Sequence, residues 1–208
     1  MLNFMHKRSP IEVFGEWAEI GKDEGMAKGH ESAVGQMLDS VLPATSRFSF
    51  LDAGCGNGWV VRKVGQLPHC SRAEGVDGSV QMIEKARSID PSGRYHLADL
   101  TTWTPETSFD VVHSMEVFYY LADPLALLKS IRASWLNAGG KLVMGIDFYV
   151  ENTASHDWPE KTQINQMKLL SISEWIALFE LAGFSDVQSR QIDAKAGWAG
   201  TLCVVGTA

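Results

Sequence analysis

The chain has 208 residues, 45% of them hydrophobic and 21% charged, with a formal net charge of −7 at pH 7. That length suits one domain with a full core, while the acidic surface repels phosphate backbones and argues against a nucleic-acid partner. Cys55, Cys70 and Cys203 are scattered and form no CxxC pair, which excludes a disulfide framework or a cysteine-ligated zinc site and fits a reducing, cytoplasmic setting.

Residues 1–46 read as amphipathic helices placed ahead of a sheet. The opening MLNFMHKRSP has no apolar stretch after its bases and so no secretory signature. No window of about 18 apolar residues occurs, so no membrane span is expected. RFSFLDAG (47–54) is a short buried strand ending in glycine, and 58–67 follow as a helix stopped near Pro68. SRAEGVDG (71–78) is a second strand. Val80, Ile83 and Ala86 then recur at helical spacing over 79–89. GRYHLADL (93–100) and FDVVHSME (109–116) are the third and fourth strands. Asp123-Pro124 opens a helix as N-cap and first residue, with Gly139-Gly140 as its end. A fifth strand, 140–149, leads into a long polar connection over 148–170, a length more typical of lids and binding segments than of plain loops. Ser171 and Glu174 form a capping box for a helix reaching Gly183, and strands at 184–192 and 200–206 close the chain. Alternating strands and helices with short links imply a parallel sheet covered on both faces.

The stretch LDAGCGNG places Gly54, Gly56 and Gly58 directly after the first strand. In a doubly wound sheet, ligands bind beyond the carboxyl ends of the strands. A glycine-rich bend there lets a nucleotide-like ligand approach backbone N–H groups at the start of the next helix. Asp77 ends the second strand, where a carboxylate can accept from both hydroxyls of a ribose. Asp99 ends the third, where it can accept from the amine of an adenine. Two ligands share that adenosine half. The dinucleotide fingerprint wants a small residue where this chain has Trp59. The GxGxG of Gly54–Gly58 suits a ligand ending in a compact zwitterion.

These motifs resemble those of class I S-adenosylmethionine-dependent methyltransferases of the small-molecule type, over about residues 47–208. LDAGCGNG matches the family's first motif, GVDGSVQMIEKAR (75–87) the second and ADL (98–100) the third. FDVVHSMEVFYYLADP (109–124) and LNAGGKLVMG (136–145) match its fourth- and fifth-strand regions. The resemblance implies a single domain over 1–208: an N-terminal helical cap (1–46) on a Rossmann-like core (47–208). That core is a seven-stranded sheet of order 3-2-1-4-5-7-6, strand 7 antiparallel, with helices on both faces. It also implies S-adenosylmethionine as donor and S-adenosylhomocysteine as product. Carried across position by position, Gly54, Cys55 and Gly56 contact the donor's methionine end, and Asp52 holds the loop. Asp77 binds the ribose with Gly78 beside it, Met82 lies against the adenine, and Asp99 with the Leu100 backbone reads its edge. Met115 and Glu116 lie near the sulfonium.

Acceptor residues are expected from the segments that cap the donor. Candidates are Trp17, Met26 and His30 from the N-terminal helices, Tyr119 and Tyr120 after the fourth strand, and Asp147, Tyr149 and Trp158 from the connection. His156, in the polar stretch Ser155-His-Asp-Trp158, is the candidate general base. His113 and His96 read as packed strand residues, and His6 and His69 as surface positions. No metal-ligand spacing is visible, so no metal is expected. The expected partner is a small soluble acceptor, with neither nucleic acid nor membrane, and the expected state is a monomer or homodimer. Two other readings stand beside methyl transfer: a nicotinamide-dependent oxidoreductase, and a non-catalytic binding module of methyltransferase shape.

Overall fold

A computed structural model describes residues 7–208; His6, expected at the surface, lies outside the described residues. Helix α1 (Pro10–Glu19) starts where Ser9 accepts from the Glu12 N–H while the Glu12 side chain accepts from the Ser9 N–H, with Pro10 in the first turn. Gly21, at φ 73°, turns the chain into α2 (Lys22–Asp39). The apolar face of α2, carrying Ala33, Val34, Met37 and Leu38, packs on one side of the sheet against Phe48, Phe50 and Val143.

The sheet follows the order β3-β2-β1-β4-β5-β7-β6. Its strands are β1 (Phe48–Ala53), β2 (Cys70–Asp77), β3 (Arg94–Leu97), β4 (Phe109–Met115), β5 (Leu136–Ile146), β6 (Ser185–Ile192) and β7 (Thr201–Thr207). The first five pair in parallel, and β7 runs antiparallel to both β5 and β6. This is the order the family resemblance implies. β1 is buried along its whole length, which accounts for its unbroken apolar run. Helices α3 (Trp59–Gly65) and α4 (Val80–Ile89) connect the first three strands. The other face buries Trp135, Trp175 and Phe179 among Leu51, Val112, Leu142 and Leu202.

The element after Asp123 differs from its sequence-based outline. Helix α5 spans only Pro124–Ser130, a π-helical turn covers Ile131–Trp135, and β5 already begins at Leu136. The wide turn places Ile131 and Trp135 in the core, and Leu136 pairs with Phe109. The two glycines therefore serve a strand irregularity and not a helix end. Gly139 is at φ 76°, and a Cβ on Gly140 would lie 2.9–3.1 Å from the carbonyl oxygens of Asn137, Asp110 and Phe109.

The connection after β5 contains a short helix α6 (Trp158–Thr162) before α7 (Ile172–Leu181). It acts as a strap. The Lys168 N–H donates to the Tyr119 carbonyl at 2.7 Å, the Asn165 N–H to Arg8 at 2.9 Å, and Gln166 Nε2 to the Tyr120 carbonyl at 3.0 Å. It thereby ties the N-terminal segment to the turn after β4. Among the described residues, no helix is long and apolar enough to cross a membrane.

Two predictions follow from these contacts. Replacing the fully buried Trp175 by alanine is expected to cost ~3–5 kcal/mol, read from the urea midpoint. Asp110 joins three strands: it accepts from the Ser49 N–H and Oγ at 2.7 and 2.8 Å and from Asn137 Nδ2 at 2.7 Å. Burial opposes its ionisation, but these bonds and Arg72 prevail and hold its carboxyl below the usual range. A depressed native pKa contributes stability above the unfolded value of ~3.9 and loses it as pH falls through the native value. Asp110→Asn should therefore flatten the loss of stability below about pH 4, measured as urea midpoint against pH.

Candidate active site

The carboxyl ends of β1, β2 and β4 open into a cleft of about 290 Å³, roofed by Ile11 and Phe14 of α1 and Met26 and His30 of α2. Gly54, Gly56 and Gly58 adopt φ of 82°, 51° and 76°, conformations that side chains resist. A Cβ on Gly54 would overlap Val117, and one on Gly58 would overlap Tyr95. Four of the bend's N–H groups are spent internally. Those of Gly54 and Cys55 donate to the Val76 carbonyl at 2.8 and 3.1 Å, and that of Gly58 to Cys55 at 2.9 Å. The Gly56 N–H donates to Asp77 Oδ2 at 2.9 Å. The glycines thus shape the cradle and admit Val117 and Tyr95 behind it, in place of the expected direct ligand contact through these N–H groups.

Asp77 Oδ1 accepts from the Ser79 N–H at 2.8 Å. Burial pushes its carboxyl upward, against the pull of these backbone donors. Asp99 accepts from the Thr101 N–H and Oγ1 at 2.8 and 2.7 Å. Asp52 Oδ1 lies 2.7 Å from His113 Nδ1, while His113 Nε2 is buried without a partner among the described residues. Burial holds the Cys55 thiol well above its usual range, so it is no nucleophile.

At the other end of the cleft, Glu116 follows β4 at φ 61°. Its Oε1 accepts from the Asp147 N–H at 2.6 Å and its Oε2 from the Tyr119 hydroxyl at 2.6 Å. The Tyr119 oxygen lies 3.1 Å from that of Tyr120. Burial and then the Asp147 charge push the Glu116 carboxyl up to about 8, against His30 and the two bonds. His30 Nε2 stands 3.5 Å from Asp147 Oδ2. Burial lowers the His30 pKa, but its bond to Asp147 and the Glu116 charge raise it further.

Among the sequence candidates, Asp52, Gly54, Cys55, Gly56, Asp77, Gly78, Met82, Asp99, Leu100, Met115 and Glu116 line this one cleft, together with Met26, His30 and Tyr120. Tyr119 and Asp147 stand behind Glu116 and His30 as their partners. The others lie elsewhere. Trp17 packs edge-on to Phe14 with Lys22 Nζ 3.6 Å over its ring. Tyr149 is buried and donates to the Gly200 carbonyl at 3.0 Å. Trp158 stacks near Trp198. His156 is exposed, with Nε2 3.0 Å from the Val150 carbonyl, so the strap that carries it supplies no base to the cleft.

Sequence reading missed Ile11 and Phe14, although the Ser9/Glu12 capping box announces the helix that carries them. It also missed Asp23, a buried carboxylate that accepts from Asn57 Nδ2 at 2.7 Å and from Lys85 Nζ at 2.8 Å. Asp23 fastens α2 to the glycine bend. No local signal marks it, since it reads as one charge in a solvated run.

A glycine bend and the carboxylates Asp77 and Asp99 line one cleft, under a sheet of the order found in class I S-adenosylmethionine-dependent methyltransferases. The chain belongs to the methyltransferase-domain family, whose model matches residues 13–189, and S-adenosylmethionine is its methyl donor. Phosphoethanolamine N-methyltransferase 1 of Arabidopsis thaliana is 30% identical over 146 residues, 66% of this chain and 28% of that protein. Trans-aconitate 2-methyltransferase of Agrobacterium fabrum is 31% identical over 93 residues, 45% of this chain and 36% of that one. The chain thus spans well under two thirds of these relatives' length. A methyltransferase of Haloferax volcanii, solved in complex with the Trm112 methyltransferase activator, superposes with a TM-score of 0.82 at 28% identity, covering 97% of this chain and 98% of that one. The N-methyltransferase NodS of Bradyrhizobium japonicum, solved with S-adenosylhomocysteine, shares the fold with a TM-score of 0.64 at 19% identity over 83% of each chain.

Asp77→Asn keeps the shape of the carboxylate and removes its charge. Loss of a charge-assisted hydrogen bond costs ~1.5–3 kcal/mol, so affinity for S-adenosylmethionine is expected to fall ~10- to 100-fold in calorimetric titration, with thermal unfolding reporting that the fold survives.

Proposed function

We propose that this chain transfers the methyl group of S-adenosylmethionine to a small soluble acceptor by in-line displacement, releasing S-adenosylhomocysteine. The observation that carries the reading is the convergence of Asp77, Asp99 and the glycine bend on one cleft whose far end holds Glu116, His30 and Tyr120. When bound, the donor supplies a methyl group already activated on a sulfonium.

The chain's own task is to bind, align and keep water out. Asp77 takes the ribose hydroxyls, and Asp99 with the Leu100 backbone reads the adenine edge. Met82 lies along the base. Gly54, Cys55 and Gly56 line the methionine end, with Asp52 and His113 beneath the bend. Met115 and Glu116 border the methyl group. Ile11, Phe14, Val117 and Leu121 supply apolar walls that exclude water. Met26, His30 and Tyr120 border the space left for the acceptor. Holding two reactants in line can supply up to ~10 kcal/mol of the barrier, so a dedicated base is needed only for a protonated acceptor. A compact cleft closed by α1 and α2 favours a small acceptor over a macromolecule.

A second reading is favoured by the likeness to the Haloferax methyltransferase, which spans nearly the whole of both chains: this chain works with a separate activator subunit. Co-elution with a Trm112-type protein, and a rise in turnover on adding it, are the expected signs of that arrangement.

The main reading is tested by incubating the chain with methyl-labelled donor and a metabolite extract filtered below about 1 kDa. Label is expected in a filterable product, with one S-adenosylhomocysteine formed per methyl transferred. Donor binding with no turnover, with or without the activator, would leave a binding module. Tight binding of a nicotinamide dinucleotide in place of the donor would overturn the assignment.

A further inference from the structure

His30 on α2, Glu116 past β4 and Asp147 past β5 each offer a ligating atom, and the three atoms lie within 4.8 Å of one another. From these we infer a binding site for a divalent transition-metal ion at the acceptor end of the cleft. The ion's role toward an acceptor rests on the methyl-transfer reading, while its binding is tested apart from it.

Donors bonded to one ion at ~2.1 Å stand ~3.4 Å apart in tetrahedral positions, so a pair at the 4.8 Å limit would draw in by roughly 1.4 Å to share an ion. The 3.5 Å between His30 Nε2 and Asp147 Oδ2 already suits neighbouring positions on one ion. Asp147 is 4% exposed, and its Oδ1 has no hydrogen-bond partner among the described residues. An orphaned carboxylate oxygen costs free energy wherever nothing fills its place. Two acidic groups face a single imidazole here, so the cluster lacks positive charge.

The surroundings hold the Glu116 side chain and the Asp147 main chain in place, as metal ligands are held. Tyr119 donates to Glu116 Oε2, and the Asp147 N–H donates to Glu116 Oε1. Asn152 Nδ2 donates to the Asp147 carbonyl at 2.8 Å. Both Glu116 oxygens retain a second lone pair. His30 and Glu116 line the cleft, which gives an ion its way in. One imidazole and two carboxylates without a thiolate suit Mn²⁺, Co²⁺ or Zn²⁺. Such an ion neutralises the paired acids and leaves positions open for an oxygen of the acceptor, whose proton it makes easier to lose. No sequence spacing announces the set, because its members come from three distant segments.

The competing state is free of metal, with protonated His30 serving both carboxylates. The two are separated by adding Mn²⁺ to the full chain after chelator treatment and dialysis, and following the free-ion signal by electron paramagnetic resonance. One equivalent is expected to bind, with a rise in the thermal midpoint. His30→Gln and Asp147→Asn should each weaken binding at least ~10-fold, while His69→Ala binds as the parent does. A free-ion signal undiminished at one equivalent, with the chain folded by circular dichroism, would overturn the site. So would affinity unchanged in both ligand variants. Donor affinity, titrated on the same samples, reports separately on the methyltransferase reading.

Discussion

The hydrogen bond from the Gly56 N–H to Asp77 joins the bend after β1 to the end of β2. Everything in the donor half of the cleft depends on it. The bend needs positive φ at three residues and costs chain entropy; the carboxylate gives it a fixed partner. The same Asp77 also accepts from Ser79, at the start of α4. One side chain thus sets bend, strand end and helix start in register before any ligand arrives, and it does so in a buried place where leaving a donor unpaired is costly.

The far end of the cleft rests on a different constraint, the closeness of two buried acidic groups. Glu116 and Asp147 are held together by a backbone bond of 2.6 Å, at the ends of adjacent parallel strands. Their mutual repulsion is offset by His30, carried on a helix outside the sheet. The N-terminal cap is therefore part of the site's electrostatics as well as its roof. Asp23 anchors the same helix to the glycine bend through Asn57, so the two halves of the cleft are braced by the first turn and the middle of α2.

Much of this was legible in the chain itself. The unbroken apolar run of β1, the glycines after it and the carboxylates ending β2 and β3 are local signals, each produced by a backbone or burial requirement within a few residues. The capping box at Ser171 is of the same kind, and it forms. The misplaced boundary at Gly139-Gly140 shows where locality fails. A glycine pair ends a helix or relieves a crowded strand, and only the carbonyls of Phe109 and Asp110 across the sheet decide which. The strap over 148–170 reads as a lid by its length, yet its hydrogen bonds run to the backbone beneath it. His156 is exposed and bonds to the Val150 carbonyl of its own segment.

The sequence by itself marked the strands and the glycine bend, because these depend on residues close to one another along strands and their following turns, while the strand order came with the family resemblance. The tertiary structure alone decided which candidates meet. It put His30 beside Asp147 and Asp23 beside Asn57, and it sent Tyr149 into the core. Those outcomes follow from how α2 and the strap cross the strand ends. That crossing is set by packing between surfaces far apart in the chain, and no short stretch of residues records it.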